Sequence, residues 1–173
     1  MLETMRDRGK FWRPAPDRLA NLSGRGFEAR CVTGLGQTLV SGDLDAAAKA
    51  LAPGVTEVGL WTITTAGTYS VRLSRDRALL VTSAPLAVRS GWVDGYVATP
   101  CDDAYAVLDL EGEELGTIVA EGTSANLATG SRSASVLFAG VPVLLYRTAE
   151  DAARLHVEAP LLAFLWEWLA GRR

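Results

Sequence analysis

Regular alternation of apolar and polar positions begins at Phe27. Residues 27–32 and 38–41 read as strands separated by Gly34-Leu35-Gly36. Gly42 and Asp43 then open a helix. Asp43 suits an N-cap, and Leu44, Ala47, Ala48 and Leu51 recur at helical spacing up to Pro53-Gly54. Residues 68–73 and 78–82 form an expected hairpin around the polar turn 74–77. From 83 to 103 the residues Pro85, Gly91, Gly95 and Pro100 interrupt every periodicity. That stretch, which carries Trp92 and Tyr96, is expected to be a linker or a functional loop.

The last seventy residues are patterned more strongly. Residues 104–110 are apolar enough for a strand, and Glu111-Gly112-Glu113-Glu114 places acids where a helix's first turn favours them. Leu115, Ile118 and Val119 mark the buried face of that helix, closed by Gly122. Residues 133–138 and 141–147 are strands joined at Ala139-Gly140, and residues 153–158 form a third, expected to pair with 141–147 as a hairpin. Pro160 suits the first turn of a final helix. Trp166 and Trp168 point about 200° apart on it, so with Leu161, Leu162, Leu165 and Leu169 the helix is apolar nearly all round. It is therefore expected either to be wedged between two lobes or to offer one tryptophan to a partner chain. The two halves together predict an α+β chain of two small lobes, about 27–100 and 101–173, each a mainly antiparallel sheet with helices on one face.

Residues 1–26 read as an N-terminal arm. Pro14 and Pro16 forbid a continuous helix, and Phe11-Trp12 is an aromatic pair unusual for a frayed tail. Six basic residues against three acidic ones leave the arm at +3, so the rest of the chain stands at −6 for a total of −3. The 49% hydrophobic content excludes a disordered chain, and the negative balance disfavours nucleic-acid binding. No apolar run approaches the roughly 18 residues of a membrane span, and no secretory signal opens the sequence. The expected compartment is the cytoplasm, with Cys31 and Cys101 reduced.

Candidate chemistry is sparse. Gly34-Leu35-Gly36 begins like a dinucleotide fingerprint, but Leu39 holds the third glycine position and a strand follows where the pyrophosphate needs a helix N-terminus. Two cysteines and one histidine are too few for a typical structural zinc site. His156 alternates with Leu155 and Val157 in a strand, and no nucleophile elbow surrounds Ser124, Ser131, Ser133 or Ser135. Asp102-Asp103 and Glu111, Glu113 and Glu114 have ordinary structural placements at a strand entry and a helix start.

The C-terminal half carries a family resemblance. Asp103-Ala104-Tyr105-Ala106-Val107-Leu108-Asp109-Leu110 leads to Glu111-Gly112 and Leu115, then to Ala120-Glu121-Gly122-Thr123. The run 135–147, the segment 153–158 and Phe164-Leu165-Trp166-Glu167-Trp168-Leu169 complete it. Over about residues 102–170 the chain resembles the gamma subunit of heterotetrameric sarcosine oxidase, similar in fold to the folate-binding aminomethyltransferase of the glycine cleavage system. The resemblance implies an aminomethyltransferase-like fold and a chain with no cofactor, metal or catalytic residue of its own. It implies larger alpha and beta-type partner subunits that carry FAD, FMN, NAD and tetrahydrofolate, and a small delta-type subunit that holds zinc. The alternative it leaves is a tetrahydrofolate-binding protein acting in one-carbon transfer. Phe11, Trp12, Trp92 and Trp166 are the expected interface residues. A stand-alone hydrolase built on His156 is the remaining expectation.

Overall fold

The computed structural model describes Asp17 and residues 20–89 and 91–172. Twelve strands among these residues form two six-stranded sheets. The first sheet contains β1 (Asn21–Gly24), β2 (Phe27–Val32), β9 (Tyr105–Glu111), β10 (Ser135–Phe138), β11 (Val141–Ala149) and β12 (Ala152–Glu158), in the order β1-β2-β9-β12-β11-β10. The second contains β3 (Gly36–Gly42), β4 (Thr56–Val58), β5 (Tyr69–Ser74), β6 (Arg77–Thr82), β7 (Trp92–Val93) and β8 (Tyr96–Pro100), in the order β4-β5-β6-β3-β8-β7. Every pairing is antiparallel except β4 with β5. The expected α+β class with mainly antiparallel sheets holds, and β11 and β12 pair as the expected hairpin.

Four layers follow from which side of each strand is apolar. Leu108 and Leu110 of β9, Val143 and Leu145 of β11, and Leu155 and Val157 of β12 face one way. That face is covered by α2 (Leu115–Gly122) through Leu115, Ile118 and Val119, and by α3 (Leu162–Ala170) through Leu162, Leu165 and Leu169. Leu144 and Tyr146 of β11 face the other way and meet Val58, Tyr69, Val71, Leu79 and Val81 of the second sheet. The outer face of the second sheet packs Val40, Leu80, Tyr96 and Ala98 against α1 (Leu44–Leu51). Because the sheets stack on each other directly, α3 lies on the outside of the first sheet and is not wedged between lobes.

Local rules explain most boundaries. Asp43 caps α1: its Oδ1 accepts from the backbone N–H of Asp45 at 3.1 Å and of Ala46 at 2.9 Å. Ala139 and Gly140 both take positive φ, the two-residue turn that suits a hairpin's twist. Asp94 and Gly95 do the same between β7 and β8, so part of the segment expected to be irregular is a hairpin. Residues 21–24 of the expected arm are strand β1, paired with β2. Glu111 ends β9 and Glu113 and Glu114 precede α2, so these acids lie ahead of the helix and not in its first turn. Gly116 is exposed on α2, and a Cβ there would meet nothing within 4 Å. Gly116→Ala is expected to stabilise the chain by about 0.5 kcal/mol, read as a raised urea midpoint at unchanged slope.

Candidate functional site

The most densely connected chemistry lies between the sheets. The register places Arg30, Asp109, Arg154 and Tyr146 opposite one another in a single row across β2, β9, β12 and β11. Side chains along that row are near neighbours, so opposite charges meet without any loop to hold them. The Asp109 carboxylate accepts from Arg154 Nε at 2.7 Å and Nη2 at 3.0 Å, a bidentate pair. Arg30 approaches the same carboxylate at 3.4 Å from a more exposed position.

Arg154 is a donor only, and this sets the direction of everything beyond it. Its Nη1 donates to the Tyr69 hydroxyl at 3.0 Å. Tyr69 and Tyr146 hydroxyls lie 2.9 Å apart, and Tyr146 lies 2.7 Å from His156 Nε2. His156 Nδ1 lies 2.7 Å from Gln37 Oε1. The Gln37 amide nitrogen donates to the carbonyls of Asp102 at 3.2 Å and Tyr105 at 3.1 Å, which leaves its oxygen to accept. One assignment satisfies every atom: Arg154 to Tyr69, Tyr69 to Tyr146, Tyr146 to His156, and His156 through Nδ1–H to Gln37. The chain of bonds crosses between sheets at Arg154–Tyr69, at Tyr69–Tyr146 and at His156–Gln37. Among the described residues no buried side-chain polar atom lacks a partner.

The electrostatics make this a structural network. His156 is fully buried. Burial, and then the nearby Arg154 guanidinium, push its imidazole down to about 3, so it is neutral near pH 7. Burial, with Tyr69 alongside, holds the Tyr146 phenol well above its ordinary value. A general base needs a pKa near the working pH and reach to a substrate, and His156, fully buried with its imidazole pushed down, has neither.

Beside this network lies a cavity of about 220 Å³, lined among others by Cys31, Thr33, Leu35, Gln37, Asp102 and Tyr105. The Asp102 carboxylate accepts from the Gln37 backbone N–H at 2.6 Å. Both cysteines are free and half-buried. Burial raises the Cys31 thiol, with Asp17 adding to the effect, and burial chiefly raises Cys101, so neither is an activated nucleophile. Among the described residues no group of three or more His, Cys, Asp or Glu side chains is placed to hold a metal ion. No helix there is long and apolar enough to cross a membrane.

Of the four expected interface residues, Trp92 is on β7 at the edge of the second sheet and is 69% exposed. Trp166 is on α3, half-buried against the first core. Phe11 and Trp12 lie outside the described residues. Sequence reading did not single out Phe164, which is 52% exposed on α3, or Leu137, 62% exposed on the edge strand β10. Both look like ordinary core positions in their apolar surroundings. The network partners of His156 were equally hidden, because Gln37, Tyr69, Tyr146 and Arg154 are scattered over more than a hundred positions.

No family model matches the chain, and no curated protein matches it. Among solved structures it is similar to a chain of the heterotetrameric sarcosine oxidase from Corynebacterium sp. U-96, determined in complex with pyrrole 2-carboxylate. The identity is 22%, the TM-score is 0.69, and the match covers 87% of this chain and 85% of the other. The two chains share a fold over nearly their whole lengths.

Proposed function

We propose that the chain is a non-catalytic, gamma-type structural subunit of a multi-subunit, flavin-dependent oxidase that acts on sarcosine or a related N-methyl amine. The observation that carries this reading is the shared fold over 87% of this chain and 85% of a chain from such a heterotetramer. The titratable side chains support it. His156 is locked neutral inside a saturated network, and both thiols are raised by burial. In this reading larger alpha and beta-type subunits hold FAD, FMN, NAD and tetrahydrofolate, a delta-type subunit completes the assembly, and the complex works in the cytoplasm. A flavin on a partner would supply the hydride acceptor for the N-methyl carbon, and this chain would supply a rigid docking body.

Affinity purification of the tagged full chain from its own cells tests the reading. Flavin-bearing larger subunits are expected to co-purify in fixed stoichiometry, while the chain expressed alone shows no flavin absorbance. Purification of the chain by itself, or stoichiometric flavin on it alone, would overturn the proposal. Quenching of its tryptophan fluorescence by tetrahydrofolate would favour the one-carbon alternative. The same complex tests the interface residues. Removing residues 1–16, or Trp92→Ala, is expected to leave the fold intact and weaken assembly at least tenfold, since an aromatic anchor contributes about 2 kcal/mol or more. Native assembly by both variants would show that these aromatics are not the anchors.

A further inference from the structure

The network between the sheets has a direction, and its direction depends on one missing proton. Gln37 cannot turn its amide round without losing the carbonyls of Asp102 and Tyr105, so its oxygen must face His156. Arg154 cannot accept a bond, so Tyr69 must receive from it and pass its own proton on to Tyr146. The His156 Nε2 lone pair is the only acceptor left for Tyr146. We propose that this one-way chain is an acid-sensitive lock, which pins the second sheet to the first only with His156 neutral, so that the hold weakens as acid favours the opened chain, whose histidine takes the proton the buried ring refuses.

The groups that face the ring decide the outcome. They are Tyr146 from β11, Tyr69 from β5, and Arg154 on the histidine's own strand, with Asp109 from β9 already engaged by Arg154. Gln37, Cys101, Asp102 and Tyr105 stand on the Nδ1 side, where the Asp102 carboxylate is bonded to the Gln37 backbone. The two ring nitrogens bond to neutral side chains, Nε2 to Tyr146 and Nδ1 to Gln37. Protonation at Nε2 turns an acceptor into a donor, so Tyr146 must accept, and its own proton then points at Tyr69, which already receives from Arg154. Tyr69 is left with a proton and no acceptor, and a second cation is added beside Arg154. The Nδ1–H bond to Gln37 survives, so the cost falls on the Nε2 side: one buried Tyr69 hydroxyl without an acceptor, and two cations in the same interlayer.

The sign follows from linkage. An unfolded histidine binds its proton near 6.5, whereas the folded one does so only near 3. Stability is complete above about pH 6.5 and falls as the pH drops from there towards 3, because only the unfolded chain takes up the proton.

His156 is the only histidine in the chain, so ¹⁵N-histidine labelling of the full chain yields one imidazole to observe. The expected spectrum at pH 7 shows Nδ1 protonated and Nε2 bare, unchanged in the folded chain down to about pH 4. The urea midpoint is expected to fall over the same range, and that fall to be absent in His156→Gln. Gln37→Glu places a carboxylate at Nδ1 and is expected to raise the ring's proton affinity by roughly a thousandfold. An Nε2-protonated ring, or one that titrates near 6.5 while the chain stays folded, would overturn the proposal. Since both readouts come from the unmodified chain, they decide the matter even where a variant fails to fold.

Discussion

Asp109→Ala is expected to cost about 3–5 kcal/mol of unfolding free energy, which for a domain of this size is a large share of the total. The side chains of Asp109 and Arg154 are 9% and 16% exposed, so neither partner is solvated enough to tolerate the loss of the other. Alanine removes both acceptors of the bidentate pair and leaves a guanidinium buried between two sheets. Arg30 offers no relief, since it is itself a cation. The freed Arg154 would swing towards water and take its bond to Tyr69 with it, which removes the first donor of the interlayer chain. Asp109→Asn keeps one acceptor and is expected to cost less. The paired change Asp109→Leu with Arg154→Leu removes both charges and is expected to recover much of the loss, because a buried ion pair adds little over an apolar replacement. Equilibrium denaturation in urea at pH 7 separates these cases. A cost below about 1 kcal/mol for Asp109→Ala would mean that water reaches the pair, and the Arg30–Asp109–Arg154 end of the row would then behave as a surface ion pair.

How far the sequence reveals this arrangement can be followed strand by strand. Residues 153–158 alternate apolar and polar, Ala-Arg-Leu-His-Val-Glu, and are legible as a strand. Such a pattern ordinarily means one face on the core and one in water. Here Arg154 and His156 point at a second sheet, and their polarity is consumed by partners from β3, β5, β9 and β11. Alternation reports the two faces of a strand but not what covers them, so a satisfied polar interlayer and a solvent face look alike. Helix α1 was readable because its cap, its apolar spacing and its terminator are all local. The β7–β8 hairpin was obscured by the density of Gly and Pro around it, although Asp94-Gly95 is the turn signal itself. Strand β1 was obscured by the basic, proline-containing segment that precedes it. Strand β4 is three residues long and pairs in parallel with β5, which only tertiary packing can dictate. The exposed Trp92 follows from none of these patterns; exposure is a property of the assembled sheet edge.

The end of β9 shows how closely the first sheet is fitted around the start of α2. Gly112 has φ +136, follows Glu111, and donates its backbone N–H to the Asp151 carbonyl at 3.0 Å. Two residues on, Glu114 N–H binds the Gly26 carbonyl at 3.0 Å, so the β1–β2 turn, β9 and α2 meet here. A Cβ on Gly112 would sit 2.3 Å from that Gly26 oxygen and 2.8 Å from Phe27 Cα. Both are backbone atoms, so no rotamer change can make room. The positive φ costs an L-residue about 1–2 kcal/mol, and forcing the strands apart adds a further 1–3 kcal/mol or so. Gly112→Ala is therefore expected to destabilise the chain by roughly 3 kcal/mol or more. Gly34 separates the two contributions: its φ is +83, but an added Cβ would meet nothing within 4 Å. Gly34→Ala should lose only the conformational part, about 1–2 kcal/mol. Equal losses for the two variants in urea denaturation would show that the close approach at Gly112 relaxes freely, and that the junction of β9, α2 and the β1–β2 turn is not held by backbone contact.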